Sequence, residues 1–85
     1  MPFELVFDKK ALKEMSKLPK EIKERIFSKL IEAKEDPFRF FEGLSGRKEH
    51  KLRIGNYRVI AFIDFQQNQI QVFKTGHRKN IYEKL

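Results

Sequence analysis

The chain has no cysteine, which excludes disulfides and thiolate metal sites. It has two histidines, His50 and His77, and no cluster of acids stands beside either. A structural zinc site is therefore not expected. The longest uninterrupted apolar run, Val59-Ile60-Ala61-Phe62-Ile63, is far short of a membrane span. No basic-then-apolar leader opens the sequence, so it reads as unsecreted, and a cytoplasmic location without membrane contact is expected. No repeat, low-complexity tract or linker interrupts it. At 85 residues it should form one domain over 1–85, with a small core, since a chain this short buries only about 60% of its unfolded surface.

What the sequence does have is positive charge. Nineteen Lys and Arg against twelve Asp and Glu leave +7, and the pI is near 9.8. A basic domain favours polyanions: nucleic acid, a ribosome or an acidic protein partner. Nine phenylalanines keep the chain out of the disordered class.

Residues 3–7 (Phe-Glu-Leu-Val-Phe) alternate and predict a short strand. Asp8 is placed to cap a first helix over about Lys9 to Lys17, its carboxylate accepting from a first-turn N–H. Phe7 and Leu12 take the positions of a hydrophobic staple. Pro19 stops this helix and can open the next. There Ile22, Ile26, Phe27, Leu30 and Ile31 mark one helical face, and Pro37 fixes the exit. The short connection predicts an antiparallel helix hairpin. Phe38 to Gly46 reads as an irregular, aromatic-rich loop. Then the period becomes two. Arg47 to Ile54, Tyr57 to Phe65 and Gln69 to Thr75 read as an antiparallel meander, with turns at Gly55-Asn56 and Gln66–Asn68. The tail from Arg78 to Leu85 has length for one or two helical turns.

A two-residue turn at Gly55-Asn56 sets the register. Ile54 should face Tyr57, Arg53 should face Arg58, Leu52 Val59, and Lys51 Ile60. Leu52, Ile54, Tyr57, Val59, Ala61 and Ile63 then form the core face. Lys51, Arg53 and Arg58 share the other with Ile60 and Phe62. Two arginines opposed across a strand pair repel, by about 0.2–1 kcal/mol. Either these cations simply solubilise the sheet, or a phosphate sits between them. Gly76-His77-Arg78-Lys79 follows as a turn after the last strand, from which Arg78 could reach the same anion. His77, as a histidine, could move protons, or be a turn or core-edge residue. Tyr82 falls four residues after Arg78, on one face with it if the tail is helical. His50, on the Leu52 face, reads as structural.

No paired carboxylates, phosphate-cradling Gly-rich loop or serine triad is present, and Asp64 stands alone. What remains is a cation site for a phosphodiester, with no metal and no cofactor. RNA carries its own nucleophile, the 2′-OH. An enzyme must deprotonate it, stabilise the extra charge of the transition state and protonate the leaving 5′-oxygen. Arginines suit the second task, because the guanidinium fork matches phosphate oxygens.

At these residues the chain resembles the RelE/ParE toxin superfamily, and within it the RelE branch. The resemblance covers nearly the whole chain. Its more specific parts are Lys51-Leu52-Arg53-Ile54-Gly55-Asn56-Tyr57-Arg58-Val59-Ile60 and Gly76-His77-Arg78-Lys79-Asn80-Ile81-Tyr82. It implies an α+β fold: an N-terminal strand, a helix hairpin packed on a twisted antiparallel β-meander, and a short C-terminal helical tail. It also implies a toxin of a type II toxin–antitoxin pair, with a RelB-like antitoxin, the ribosome and mRNA as partners. RelE-like members cut mRNA in the ribosomal A site without metal. By that resemblance Arg58 and Arg78 would stabilise the phosphate, and Lys51 and Tyr82 would handle protons or orientation. Arg53, His77, Lys79 and Lys74 would bind RNA. One departure is Glu49, where some bacterial relatives have a second lysine. Two alternatives remain: a ParE-like inhibitor of DNA gyrase, or a non-catalytic basic module that binds antitoxin or RNA.

Overall fold

The computed structural model describes residues 2–43, 46 and 48–77. Strand β1 (Glu4–Phe7) leads into helices α1 (Lys9–Ser16) and α2 (Lys20–Ala33). A single helical turn, α3 (Pro37–Phe40), and a two-residue strand, β2 (Glu42–Gly43), come next. Strands β3 (His50–Ile54), β4 (Tyr57–Asp64) and β5 (Gln69–His77) complete a five-stranded sheet of order β1-β5-β4-β3-β2. Strands β2 to β5 are antiparallel, and the meander is the one expected. At the opposite edge β1 runs parallel to β5. The fold is α+β. No described helix is long and apolar enough to cross a membrane.

The helices cover one sheet face. Ala11 and Met15 of α1, and Ile26, Leu30 and Ala33 of α2, bury against Leu52, Ile54, Val59, Ala61, Ile70 and Val72. The buried stripe of α2 is thus Ile26-Leu30-Ala33, with Ile22 partly covered. Phe27 and Ile31, which the helical pattern assigned to the same face, lie on its flank and stay exposed. Pro19 serves as N-cap of α2, its carbonyl accepting from the Ile22 and Lys23 N–H groups at 3.0 Å each. A proline there leaves no N–H of its own unpaired.

Three local expectations are corrected. Asp8 is the N-cap of α1, but its carboxylate makes no capping bond; Oδ1 accepts from Gln71 Nε2 at 3.3 Å instead. The lateral pull of the neighbouring strand replaces the local cap. The segment after Pro37 is not all irregular, because Pro37 sits in the first turn of α3 and β2 pairs with His50 and Lys51. Strand β3 begins at His50, with Lys48 and Glu49 outside it, and Arg47 lies outside the described residues.

The β4–β5 turn explains the solitary Asp64. Its Oδ1 accepts from the Gln66 and Gln67 N–H groups at 2.9 and 3.1 Å, an Asx turn that bends the chain. Asn68 closes the turn at φ 54°, in the left-handed region that asparagine tolerates.

The sheet contains one irregularity with consequences for the site. Ile60 pairs with Lys74, but Ala61 pairs with Val72, so Phe73 is an extra residue in β5. Strict alternation would turn Lys74 towards the helices beside Ile70 and Val72. The bulge turns it to the outer face and brings Thr75 inward instead. Thr75 then meets α1: its N–H donates to Glu14 Oε1 at 3.2 Å and its hydroxyl to the Ala11 carbonyl at 3.4 Å. Strand β1 ends opposite Val72, so past that point Glu14 supplies the acceptor a neighbouring strand would have offered.

His50 lies on the Leu52 face, as expected. Its Nδ1 is buried without a hydrogen-bond partner among the described residues. A buried polar atom left unpaired costs about 1–3 kcal/mol. His50→Leu is therefore expected to raise the melting temperature, by about 4–8 °C for each kcal/mol recovered in a domain this size. Thermal unfolding of the two proteins checks it; an unchanged or lower midpoint would mean that the imidazole is paired in solution.

Candidate functional site

The hairpin register is the one set by Gly55-Asn56. Ile54 pairs with Tyr57, Arg53 with Arg58, Leu52 with Val59 and Lys51 with Ile60. Gly55 has φ 59° and Asn56 has no positive φ, the pattern of a type II′ turn with glycine in its first central position. A Cβ at Gly55 would also lie 3.5 Å from the Arg25 guanidinium. That is ordinary contact, so the turn calls for glycine through its backbone conformation and not through lack of space.

On the face away from the helices stand Lys51 and Arg53 of β3, Arg58, Ile60 and Phe62 of β4, and Lys74 of β5. Lys51 and Lys74 flank Ile60 in register on either side. Ile60 is 0% exposed although it lies outside the helix-side core. Long lysine stems beside it suit that burial, because they cover apolar surface while carrying a charge at the tip. Lys74 itself is 7% exposed. Lys51 Nζ lies 3.9 Å from the exposed Glu42 carboxylate, a surface pair of small energetic weight. Gly76, the partner of Arg58 in β5, puts no side chain beside the arginine.

The opposed arginines sit in different surroundings. Arg53 is exposed, at the mouth of a groove of about 710 Å³ between α2 and the hairpin. Glu21, Glu24 and Glu32 line that groove together with Arg25, Ser28 and Lys29. Arg58 is buried instead. It is 4% exposed, and its Nη1 donates to the carbonyls of Gly55 and Tyr57 at 2.9 Å each. The reading of Arg58 as a cation that merely solubilises the sheet is thus corrected: it is buried and ties the hairpin turn to β4. The sequence offered no folding reason for the Arg–Arg pair, and the structure supplies one. The two backbone carbonyls hold this guanidinium at the turn end of the sheet.

His77 is placed differently from the expectation. Gly76 and His77 do not form a turn after the last strand; they continue β5, opposite Arg58 and Tyr57. His77 therefore shares the helix-side face with Tyr57, and their rings meet edge to face at 5.4 Å and 78°. Its imidazole and the Arg58 side chain leave the sheet on opposite sides. Of the sequence-derived set, the structure brings Lys51, Arg53, Arg58 and Lys74 onto one face and His77 onto the other. Arg78, Lys79 and Tyr82 lie outside the described residues.

Among the described residues, no three His, Asp or Glu side chains are grouped so as to hold a metal ion. The arrangement offers a buried guanidinium, an exposed one and two lysines with a buried isoleucine between them. Such a set suits a phosphodiester: the fork geometry and permanent charge of arginine match phosphate oxygens, and lysines supply point charges along a backbone.

Residues 5–82 match the model of the ParE toxin family of type II toxin–antitoxin systems. Among solved structures, an E. coli RelE double mutant in the free state superposes with a TM-score of 0.81 at 26% identity, covering 98% of this chain and 93% of that one. The toxin–antitoxin complex RelBE of E. coli gives 0.78 at 28% identity, covering 88% and 95%. The RelBE2 complex of Mycobacterium tuberculosis gives 0.85 at 22% identity, covering 92% and 100%. No curated protein matches by sequence.

Proposed function

The chain belongs to the family of ParE toxins of type II toxin–antitoxin systems, within the RelE/ParE superfamily, and from that premise we propose that it is a ribosome-dependent endoribonuclease that cuts mRNA in the A site. The observation that carries this reading is the cation face: Arg53 directly opposite Arg58, with Lys51 beside them and Lys74 delivered by the bulge. Solved RelE structures are its likenesses at 26% and 28% identity.

In the proposed reaction the substrate's 2′-hydroxyl attacks the adjacent phosphorus. The O2′–P bond forms, the P–O5′ bond breaks, and a 2′,3′-cyclic phosphate and a free 5′-hydroxyl result. The proton leaving O2′ goes to a base, and O5′ takes one from an acid. Arg58 and Arg78 stabilise the charge that grows on the non-bridging oxygens. Lys51 and Tyr82 are the proton-handling or orienting groups. Arg53, Lys74 and Lys79 hold the flanking backbone, and the chain's own cations take the place of a metal. His77, on the other side of the sheet from Arg58, is left out of the RNA-binding set and is an aromatic partner of Tyr57 instead. A RelB-like antitoxin with acidic residues would mask this face between bouts of activity.

The matched family's own name favours a second reading, inhibition of DNA gyrase in the ParE manner. A purified translation system separates the two. The protein should shorten a reporter mRNA while it is translated, spare the same mRNA without ribosomes, and leave gyrase supercoiling intact. Blocked supercoiling with intact mRNA would establish the second reading instead.

A further inference from the structure

Beside its cations the outer sheet face carries a pair of aromatic rings that the helix-side core does not use. Phe62 of β4 remains 39% exposed. Its ring stacks on Phe73 of β5, with centroids 4.8 Å apart and planes at 22°. Phe73 is the extra residue of the bulge, so this one irregularity sets Phe73 against Phe62 and Lys74 against Ile60. Rings and cations are thereby fixed side by side. Strands β4 and β5, which carry the rings, both lie inside the sheet with neighbours on each side.

We infer that Phe62 and Phe73 form a base-stacking platform for single-stranded RNA, adjoining the cations that hold its phosphates. The inference rests on the reading of this face as an RNA site and adds to it the residues that take a base. Arg58, Ile60 and Phe62 point outward in succession along β4, so the platform lies about 13 Å from the Arg58 position, away from the hairpin turn. A neighbouring nucleotide, rather than the scissile one, would rest there. Positive side chains tracking a backbone, with aromatic faces for its bases, is the combination by which proteins hold single strands. The two rings pack face to face, so a planar base would extend the stack on the outer face of Phe62, the exposed ring, whereas the apolar anchors of protein partners fill pockets. The charge around it, Lys51, Arg53 and Lys74, complements a polyanion.

The test uses the full chain and ribosomes programmed with mRNA that carries 2-aminopurine in, or next to, the A-site codon and 2′-O-methyl groups against cleavage. Wild type should change the fluorescence of one probe position, and Phe62→Ala and Phe73→Ala should abolish that change. On cleavable mRNA both variants should raise KM by roughly 5–150-fold, the weight of one stacked base, with kcat within about twofold. Phe62→Tyr should behave as wild type. Phe62→Leu, which keeps apolar area but loses the ring, should behave as Phe62→Ala. Wild-type KM in both alanine variants overturns the platform, whether or not they lose a protein partner, and leaves the cleavage reading standing. Should wild type cut nothing on ribosomes, the cleavage reading fails, and binding of a short single-stranded oligoribonucleotide decides the platform by itself. A 5–150-fold weaker affinity of Phe62→Ala than of wild type then supports it; equal affinities, or no binding by wild type, overturn it.

Discussion

Arg58→Ala is expected to slow mRNA cleavage by roughly 10²–10³ and, in the same protein, to lower thermal stability. The first effect is the usual loss when one pre-positioned charge contact to a transition state is removed. The second comes from the hairpin. The Gly55 and Tyr57 carbonyls lose the donor that each accepts from at 2.9 Å. Bonds from a charged donor contribute about 1.5–3 kcal/mol, so the midpoint should fall by several degrees at about 4–8 °C per kcal/mol. The two effects can be separated. Arg58→Lys keeps the charge and gives up the fork, so it should recover part of the rate and little of the stability. Cleavage is measured well below the unfolding midpoint of each variant. If Arg58→Ala cuts at the wild-type rate wherever it is fully folded, the arginine only supports the hairpin.

Tyr82→Phe is expected to have the largest effect on rate, a loss of roughly 10²–10⁴ in single-turnover cleavage with ribosome binding little changed. That range is what a positioned proton donor or acceptor contributes. The assignment comes from the superfamily resemblance of the segment from Gly76 to Tyr82. Its physical content is that the hydroxyl, and not the ring, is the working part. A tyrosine that merely stacked on a base would be replaced almost fully by phenylalanine and not by alanine. A near-normal rate for Tyr82→Phe would therefore move the proton-handling role to Lys51.

The parts of this molecule that the sequence made legible are those fixed by short-range rules. Gly55-Asn56 set the register of β3 and β4, and with it the opposed Arg53 and Arg58, because a two-residue turn leaves no freedom in pairing. Pro19 marked the boundary between α1 and α2. The parts that were not legible depend on contacts between distant segments. The bulge at Phe73 had one faint sign, the adjacent apolar pair Val72-Phe73 in an otherwise alternating run. Its cause is tertiary: Thr75 is drawn to Glu14 and Ala11 of α1. Asp8 read as a cap and instead reaches across to Gln71, 63 residues away. Helix α3 carried the sign of Pro37, but four residues are too few for a period to show. Arg58 read as a surface cation because its partners, two backbone carbonyls, have no signature in side-chain chemistry. The groove that Arg53 shares with Glu21, Glu24 and Glu32 exists only once α2 is packed beside the hairpin.

The central claim is that this toxin cuts mRNA inside the translating ribosome with its own cations. Primer extension on a translated mRNA, with and without the protein, tests it most directly. The account predicts new 5′-hydroxyl ends within codons at the A site of ribosomes, absent when translation is blocked before the A site is exposed, and absent with Arg58→Ala. Growth inhibition by a folded wild-type protein with no new ends on any translated message would contradict it.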